Sequence, residues 1–294
     1  MGAKLRQTRR RIRSVQSTMR ITRAMELISA SRIVRAQQRV RQSRPYAELI
    51  TGILSAVTSR ESDLAHDLLE QRPERRAAAV FVVTSDRGLC GGYNSNALRT
   101  AEELFAKLRL DGVEPRLYVT GRKGLSYFRF RDRPIAGSWT GFSEQPTYED
   151  ARTLGEELIR AFVAGEVDEI HGVYTDFQSV LTQRPVARRF VPLEFVEVQG
   201  PVQALPLYLF EPGPEALLAK LLPRYVEERV YSSMLESAAS EQAARRRAMS
   251  AATSNAEELI KVYTRVANQA RQAEITQEIM EVVGGAEAMA GRDA

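Results

Sequence analysis

The chain has 294 residues, 44% of them hydrophobic, a size that suits one large or two ordinary domains. No uninterrupted apolar stretch of about 18 residues occurs, so no bilayer-spanning helix is expected, and the single cysteine, Cys90, excludes an internal disulfide framework and fits a reducing compartment. The net charge of +5 hides an asymmetry: residues 1–44 hold 13 Lys or Arg against one acid, Glu26, a local +12 that leaves −7 for the remainder.

Residues 3–44 contain neither glycine nor proline. At about 1.5 Å per residue they predict a helix of roughly 63 Å, with a loose apolar stripe through Ile12, Val15, Met19, Met25, Ile28 and Val34. A shaft helix is assigned to residues 1–58. The pattern then changes. Ala77–Thr84 is a short apolar run rich in β-branched and aromatic residues, followed by a glycine-rich turn and a helical stretch from about Ala97. Arg116–Thr120 and Glu169–Tyr174 read as further strands, with a helix over Tyr148–Val163 between them, and Phe190–Val198 offers one more strand. Strands alternating with helices predict an α/β domain with a largely parallel sheet over residues 74–200. Gln199–Pro214 carries four of the twelve prolines and leads into a C-terminal helix assigned to 208–288.

Residues 224–283 again lack glycine and proline, which predicts a helix of roughly 90 Å. Steps of three and four from Leu235 pass through Ala238, Gln242, Arg245, Met249, Ala252, Ala256, Leu259, Tyr263, Val266, Ala270, Ala273, Gln277 and Met280. Eleven of these 14 positions are apolar, five of them alanine. The fold class expected is α/β: a long antiparallel coiled coil of the N- and C-terminal helices with an inserted Rossmann-like α/β domain. A coiled coil between two copies of the chain is the alternative. A small domain is only about 30 Å across, so both helices are expected to project beyond it. The polar interruptions at Gln242 and Arg245 suggest that this stretch faces other subunits as well as its partner helix, so Arg245→Leu is expected to spare the stability of the isolated chain.

Thr84–Asn96 (TSDRGLCGGYNSN) lies between a strand and a helix, where backbone N–H groups can cradle phosphate. It lacks both the Gly-Lys-Ser/Thr ending of a phosphate loop and the Gly-x-Gly-x-x-Gly dinucleotide pattern, so a structural turn is expected and no nucleotide or other cofactor. Cys90 reads as a small buried residue of that loop. His66 and His171 stand in no metal-ligand spacing. No acid–base or nucleophilic constellation stands out, which weighs against an enzyme. The basic N-terminal segment fits a nucleic-acid binder, an organelle presequence or a shaft in an acidic protein cavity. The helical stripe runs through it without a cleavage-like boundary, and no aromatic residue precedes Tyr46, so the third reading is preferred.

The chain resembles the γ-subunit family of F-type ATP synthases in four blocks taken in order. These are the opening MGAKLRQTRRRIRSVQSTMRITRAMELISASR, the loop TSDRGLCGGYNSN, the stretch ESAASEQAARRRAMSAATSNAEELI, and the closing signature. That signature, Ile275-Thr276-x-Glu278-x-x-Glu281-x-x-x-Gly285-Ala286-x-Ala288, matches at every fixed position. The resemblance implies a bacterial central shaft, peripheral at the cytoplasmic face of the cell membrane. It couples rotation of a membrane ring of c subunits to ATP chemistry on a hexamer of α and β subunits. It implies partners in α, β, ε and the c-ring, no nucleic acid, and membrane contact only through the ring. Contacts with α and β are implied for Met25, Glu241, Gln242, Arg245, Gln272 and Thr276, and contacts with the ring for Tyr208 and Glu211. Photosynthetic members carry a regulatory cysteine pair, which a chain with one cysteine lacks.

Overall fold

The computed structural model describes residues 2–58, 66, 68–69, 72–193 and 213–290. In chain order these form α1 (Gly2–Thr58), β1 (Ala77–Val83), α2 (Tyr93–Leu110), β2 (Glu114–Thr120), α3 (Arg122–Phe130), β3 (Ile135–Trp139), α4 (Tyr148–Val163), β4 (Glu169–Phe177), β5 (Gln183–Val191) and α5 (Pro214–Ala290). The chain divides into two compact units, Met1–Ile28 with Arg246–Ala294, and Ser29–Arg245.

In the larger unit the sheet order is β3-β2-β1-β4-β5. Strands β1 to β4 are parallel, and β5 returns antiparallel along β4. A strand covered on both faces reads as a continuous apolar run, which is why β1 was legible. Its alternate residues serve two cores. Ala79, Phe81 and Val83 face α4 with Leu154, Leu158 and Phe162, together with Ile50 and Leu54 of α1 and Leu218, Leu222, Val226, Val230 and Met234 of α5. Ala78, Val80 and Val82 face Leu98, Ala101 and Phe105 of α2 and Phe128 of α3. Each large side chain so buried contributes about 1.5–3 kcal/mol. Both terminal helices thus complete the core of the α/β domain.

Local chemistry sets the element ends. Thr147 Oγ1 accepts from Asp150 N at 3.3 Å while Asp150 Oδ2 accepts from Thr147 N at 2.8 Å, a reciprocal cap worth about 1 kcal/mol that starts α4. A Cβ on Gly155 would stand 3.2 Å from Glu227 Cγ, so glycine lets α4 lie close on α5. Tyr148 Oη donates to Glu227 Oε2 at 2.7 Å across the same contact.

Some expectations are corrected. Helix α2 begins at Tyr93, earlier than Ala97, and α3 and β3 were not anticipated. The last strand is Gln183–Val191, not Phe190–Val198; residues 194–198 lie outside the described residues.

In the smaller unit α1 and α5 meet through a buried hydrogen bond between Thr22 Oγ1 and Thr253 Oγ1. The α1 face runs through Leu5, Thr8, Ile12, Val15, Met19 and Thr22, all at least half-buried. The α5 face runs through Met249, Thr253, Ala256, Ile260, Tyr263, Ala267 and Ala270. The expected seam is therefore right at Met249, Ala256, Tyr263 and Ala270, half-buried at Ala252 and Val266, and wrong at Leu259, Ala273 and Met280, which are exposed. Thr253, Ile260 and Ala267 also turn inward, beside Ala252, Leu259 and Val266 respectively. On α1, Ile28 and Val34 are likewise exposed rather than in the stripe. Counting apolar residues passed over Thr253, whose small hydroxyl side chain is buried against Thr22.

Candidate functional site

Strands β1 and β4 flank the point where the chain, having run outward through β2 and β3, crosses to the other side of the sheet. In open parallel sheets that crevice, beyond the carboxyl ends of the strands, is where ligands bind. Here α5 crosses it. Ser237 Oγ accepts from Thr175 N at 3.0 Å, and Ser240 Oγ donates to Thr175 O at 3.1 Å, just past the middle of β4. Arg245 Nη2 donates to the carbonyls of Arg87 and Gly88, both at 3.3 Å, in the loop after β1. Ala244 packs on Cys90 and Tyr93. The crevice of the α/β domain is filled by the chain's own helix.

The loop after β1 is itself tightly held. Ser85 N donates to Asn94 Oδ1 at 2.9 Å, and Leu89 and Gly91 take left-handed backbone (φ 61° and 58°) that brings the chain back into α2. Asp86 ties its own loop to two others at the carboxyl ends of the strands: Oδ1 accepts from Arg122 N at 3.1 Å, and Oδ2 from Gly141 N and Ser143 N at 2.8 and 3.0 Å. Ser143 Oγ accepts from Asp86 N at 2.9 Å.

Beside Ser143, Glu144 reaches both terminal helices. One carboxylate oxygen takes Arg32 of α1, and the other lies 3.4 Å from Arg245 Nη1 of α5. Arg245 Nη2 also donates to Glu241 Oε1 at 2.6 Å, with both side chains enclosed. Burial pushes the Glu241 carboxyl up to about 7 against the pull of Arg245, and Glu144 adds to the rise. Within the unit, Arg32 shares Glu144 with Arg245, whereas Ile50 and Leu54 pack with Leu218 and Leu222, so the two helices run antiparallel.

Of the residues singled out from the sequence, Glu241, Gln242 and Arg245 come together here and are almost wholly buried. The polar break in the seam at Arg245 therefore has an explanation inside the chain, whereas both amide atoms of buried Gln242 find no hydrogen-bond partner among the described residues. The expected indifference of the fold to Arg245→Leu is reversed, because the guanidinium compensates buried carboxylates. Met25 is half-buried on α1, and Gln272 and Thr276 are exposed on α5, with Thr276 Oγ1 bonded back to Gln272 O at 2.9 Å. Tyr208 and Glu211 lie outside the described residues. Sequence reasoning missed Arg32, Asp86, Ser143 and Glu144. Arg32 and Glu144 are 112 positions apart, and nothing local marks either. No helix among the described residues is long and apolar enough to cross a membrane, and no acid, histidine or cysteine cluster there could hold a metal.

These features define a class of protein in which a largely parallel α/β domain, inserted between two long terminal helices, is fastened to both by ion pairs. A family model described as ATP synthase matches residues 4–289. The chain is 58% identical over 296 residues to the ATP synthase gamma chain of Parafrankia sp. (strain EAN1pec), covering 99% of both chains. It is 59% identical over 295 residues to that of Acidothermus cellulolyticus, covering 98% of both. Its fold is similar to that of a chain in the rotor of the Euglena gracilis mitochondrial ATP synthase, with a TM-score of 0.66 at 15% identity over 94% of this chain and 100% of that one. The chain belongs to the ATP synthase gamma chain family.

Proposed function

We propose that the chain is the central rotary shaft of an F-type ATP synthase. It couples ion-driven rotation of the membrane c-ring to ATP synthesis and hydrolysis at the catalytic sites of the α/β hexamer. The observation that carries this reading is likeness to ATP synthase gamma chains along 98–99% of the sequence. The shaft binds no nucleotide and catalyses nothing itself; the chemistry belongs to the α and β subunits. It lies at the cytoplasmic face of the bacterial cell membrane as a peripheral subunit, with the ε subunit and the c-ring as further partners and no nucleic acid.

The surface of the smaller unit supports the reading. Arg9, Arg10, Arg11, Arg13, Arg20 and Arg23 are exposed along α1. Ile21, Leu27, Ile275, Ile279, Met280 and Val282 are exposed among the large hydrophobics. A surface both strongly basic and dotted with bare aliphatic side chains suits enclosure by acidic, apolar-lined protein. Met25, Gln272 and Thr276 are proposed to meet α and β there. Contact with α and β is also proposed at Glu241, Gln242 and Arg245, where Arg245, held by Glu241, bonds the loop after β1. Tyr208 and Glu211 are proposed to meet the c-ring.

The test is affinity isolation of the tagged chain from gently solubilised membranes, followed by an ATPase rotation assay. Co-isolation of α, β, ε and c subunits with ATP-driven rotation is expected. Isolation without α and β, or bound to nucleic acid at physiological salt, would overturn the reading.

A further inference from the structure

The apolar contacts that seat α1 and α5 on the α/β domain are non-directional, so by themselves they let a helix roll about its axis. Resistance to rolling requires directional contacts anchored on a rigid mount. Glu144 has both. Its backbone neighbours Gly141 and Ser143 are pinned on the Asp86 carboxylate, which also holds the N-terminus of α3 through Arg122 N. From that mount one carboxylate oxygen is hydrogen-bonded by Arg32 on α1, and the other forms a charge pair with Arg245 on α5, 3.4 Å from Nη1. Arg245 is fixed in turn by Glu241 and by the carbonyls of Arg87 and Gly88. The clamp sits at the last residues of the larger unit on both helices, Ser29–Arg32 and Glu241–Arg245.

We propose that Glu144 is a positioning residue for torque transmission, holding the rotational register of both terminal helices on the α/β domain through Arg32 and Arg245. The proposal rests on the rotary-shaft reading. In that setting the clamp bears load each time the domain and the helices are twisted against one another. Its loss softens the shaft without touching a catalytic site.

The experiment uses the complete membrane complex carrying the wild-type chain, Glu144→Gln, Glu144→Asp or Arg32→Gln. Three quantities are read: the angular fluctuation of a bead tethered at Lys107 on α2 while the catalytic subunits are surface-fixed and paused, the number of protons pumped per ATP hydrolysed, and the melting temperature of the isolated chain. Removing the charge from both pairs is expected to raise the angular variance about two-fold in Glu144→Gln. Protons pumped per ATP should fall against an opposing gradient while unloaded ATP hydrolysis persists. Arg32→Gln, which leaves the Glu241–Arg245 pair in place, should show a smaller rise, and Glu144→Asp should recover most of the wild-type stiffness. Unchanged variance and pumping ratio in both glutamine variants would overturn the clamp, including when the melting temperature falls, since that pattern means a packing role alone. A wild-type complex that neither rotates nor pumps would instead overturn the shaft reading, and the clamp with it.

Discussion

Thr22 Oγ1 and Thr253 Oγ1 lie 2.8 Å apart, a buried hydrogen bond between residues 231 positions distant in sequence. Each hydroxyl also reaches a carbonyl of its own helix, Met19 O at 3.0 Å and Met249 O at 2.9 Å. The two threonines therefore share two hydroxyl protons among three bonds. Thr22→Val and Thr253→Val are each expected to cost about 1 kcal/mol, and the double variant less than the sum by about 0.5–1 kcal/mol. Urea unfolding of the four chains measures the coupling; strict additivity would mean the hydroxyls do not interact.

Arg245→Leu is expected to destabilise the isolated chain by about 3–5 kcal/mol at pH 8 and by less at pH 6, because buried Glu241 must then take up a proton and Glu144 loses one partner. Adding Glu241→Gln to that variant should restore part of the loss at pH 8 by removing the carboxyl that must be protonated there, and little of it at pH 6. A melting temperature unchanged by Arg245→Leu would show that the pair is not formed in solution.

The stability of the chain should peak in mildly acid solution. Burial alone pushes the Glu228 carboxyl from its ordinary 4.5 up to about 7, beside Glu48 of α1, Arg188 of β5, and Arg229 and Glu236 of α5. Between about pH 4.5 and 7 the folded chain then binds more protons than the unfolded one, so stability falls as pH rises through that window. Glu169 has the opposite sign. Its bond to His171 at 2.7 Å, with Arg75 helping, holds it at about 2, so its contribution is present above pH 4.5 and lost toward pH 2. Melting curves from pH 3 to 9 should show a maximum near pH 5. Glu228→Gln should raise stability by about 1–2 kcal/mol at pH 8 and hardly at all at pH 5. An equal gain at both values would mean that Glu228 is ionised throughout.

Gly121 has φ +90°, and a Cβ there would stand 2.2 Å from the carbonyl oxygen of Thr84. Gly112 has φ +77° with open space around it. Gly112→Ala is thus expected to cost about 1 kcal/mol of backbone strain, and Gly121→Ala about 3 kcal/mol or more through strain plus clash. Similar losses in the two variants would locate the whole effect in the backbone angle.

Nucleotide should not bind the isolated chain. The loop after β1 lacks a phosphate-binding lysine pattern, and its carbonyls are engaged by Arg245 in a crevice that α5 fills. Titration calorimetry with millimolar ATP and Mg²⁺ is expected to give no saturable heat. A stoichiometric site abolished by changing Gly91 or Gly92 would contradict this.

Much of the fold was legible because burial leaves a plain mark. Strand β1 is sandwiched between two helical layers and is apolar at every position, and the helix read over Tyr148–Val163 has the bounds of α4. Strand β5 was missed except for Phe190 and Val191 because it carries Arg184, Pro185, Arg188 and Arg189 as an antiparallel edge strand with one exposed face. Strand β3 is only five residues long and includes Gly137 and Ser138, too short for alternation to register. The Arg32–Glu144–Arg245 arrangement was invisible for a different reason. Its members come from three distant segments, and an arginine on a helix reads as solvated until the partner is placed beside it.

Cys90 is 2% exposed, and burial raises its thiol above the ordinary range. An alkylating reagent needs an accessible thiolate, so the native sulfur should stay silent toward maleimides while the fold is intact. A fluorophore or spin probe can therefore be placed on a single introduced cysteine, for instance in place of exposed Gln272, without first stripping the chain of its own. Conversely, the onset of Cys90 modification during heating or denaturant titration reports the moment at which α5 lifts from the loop it covers.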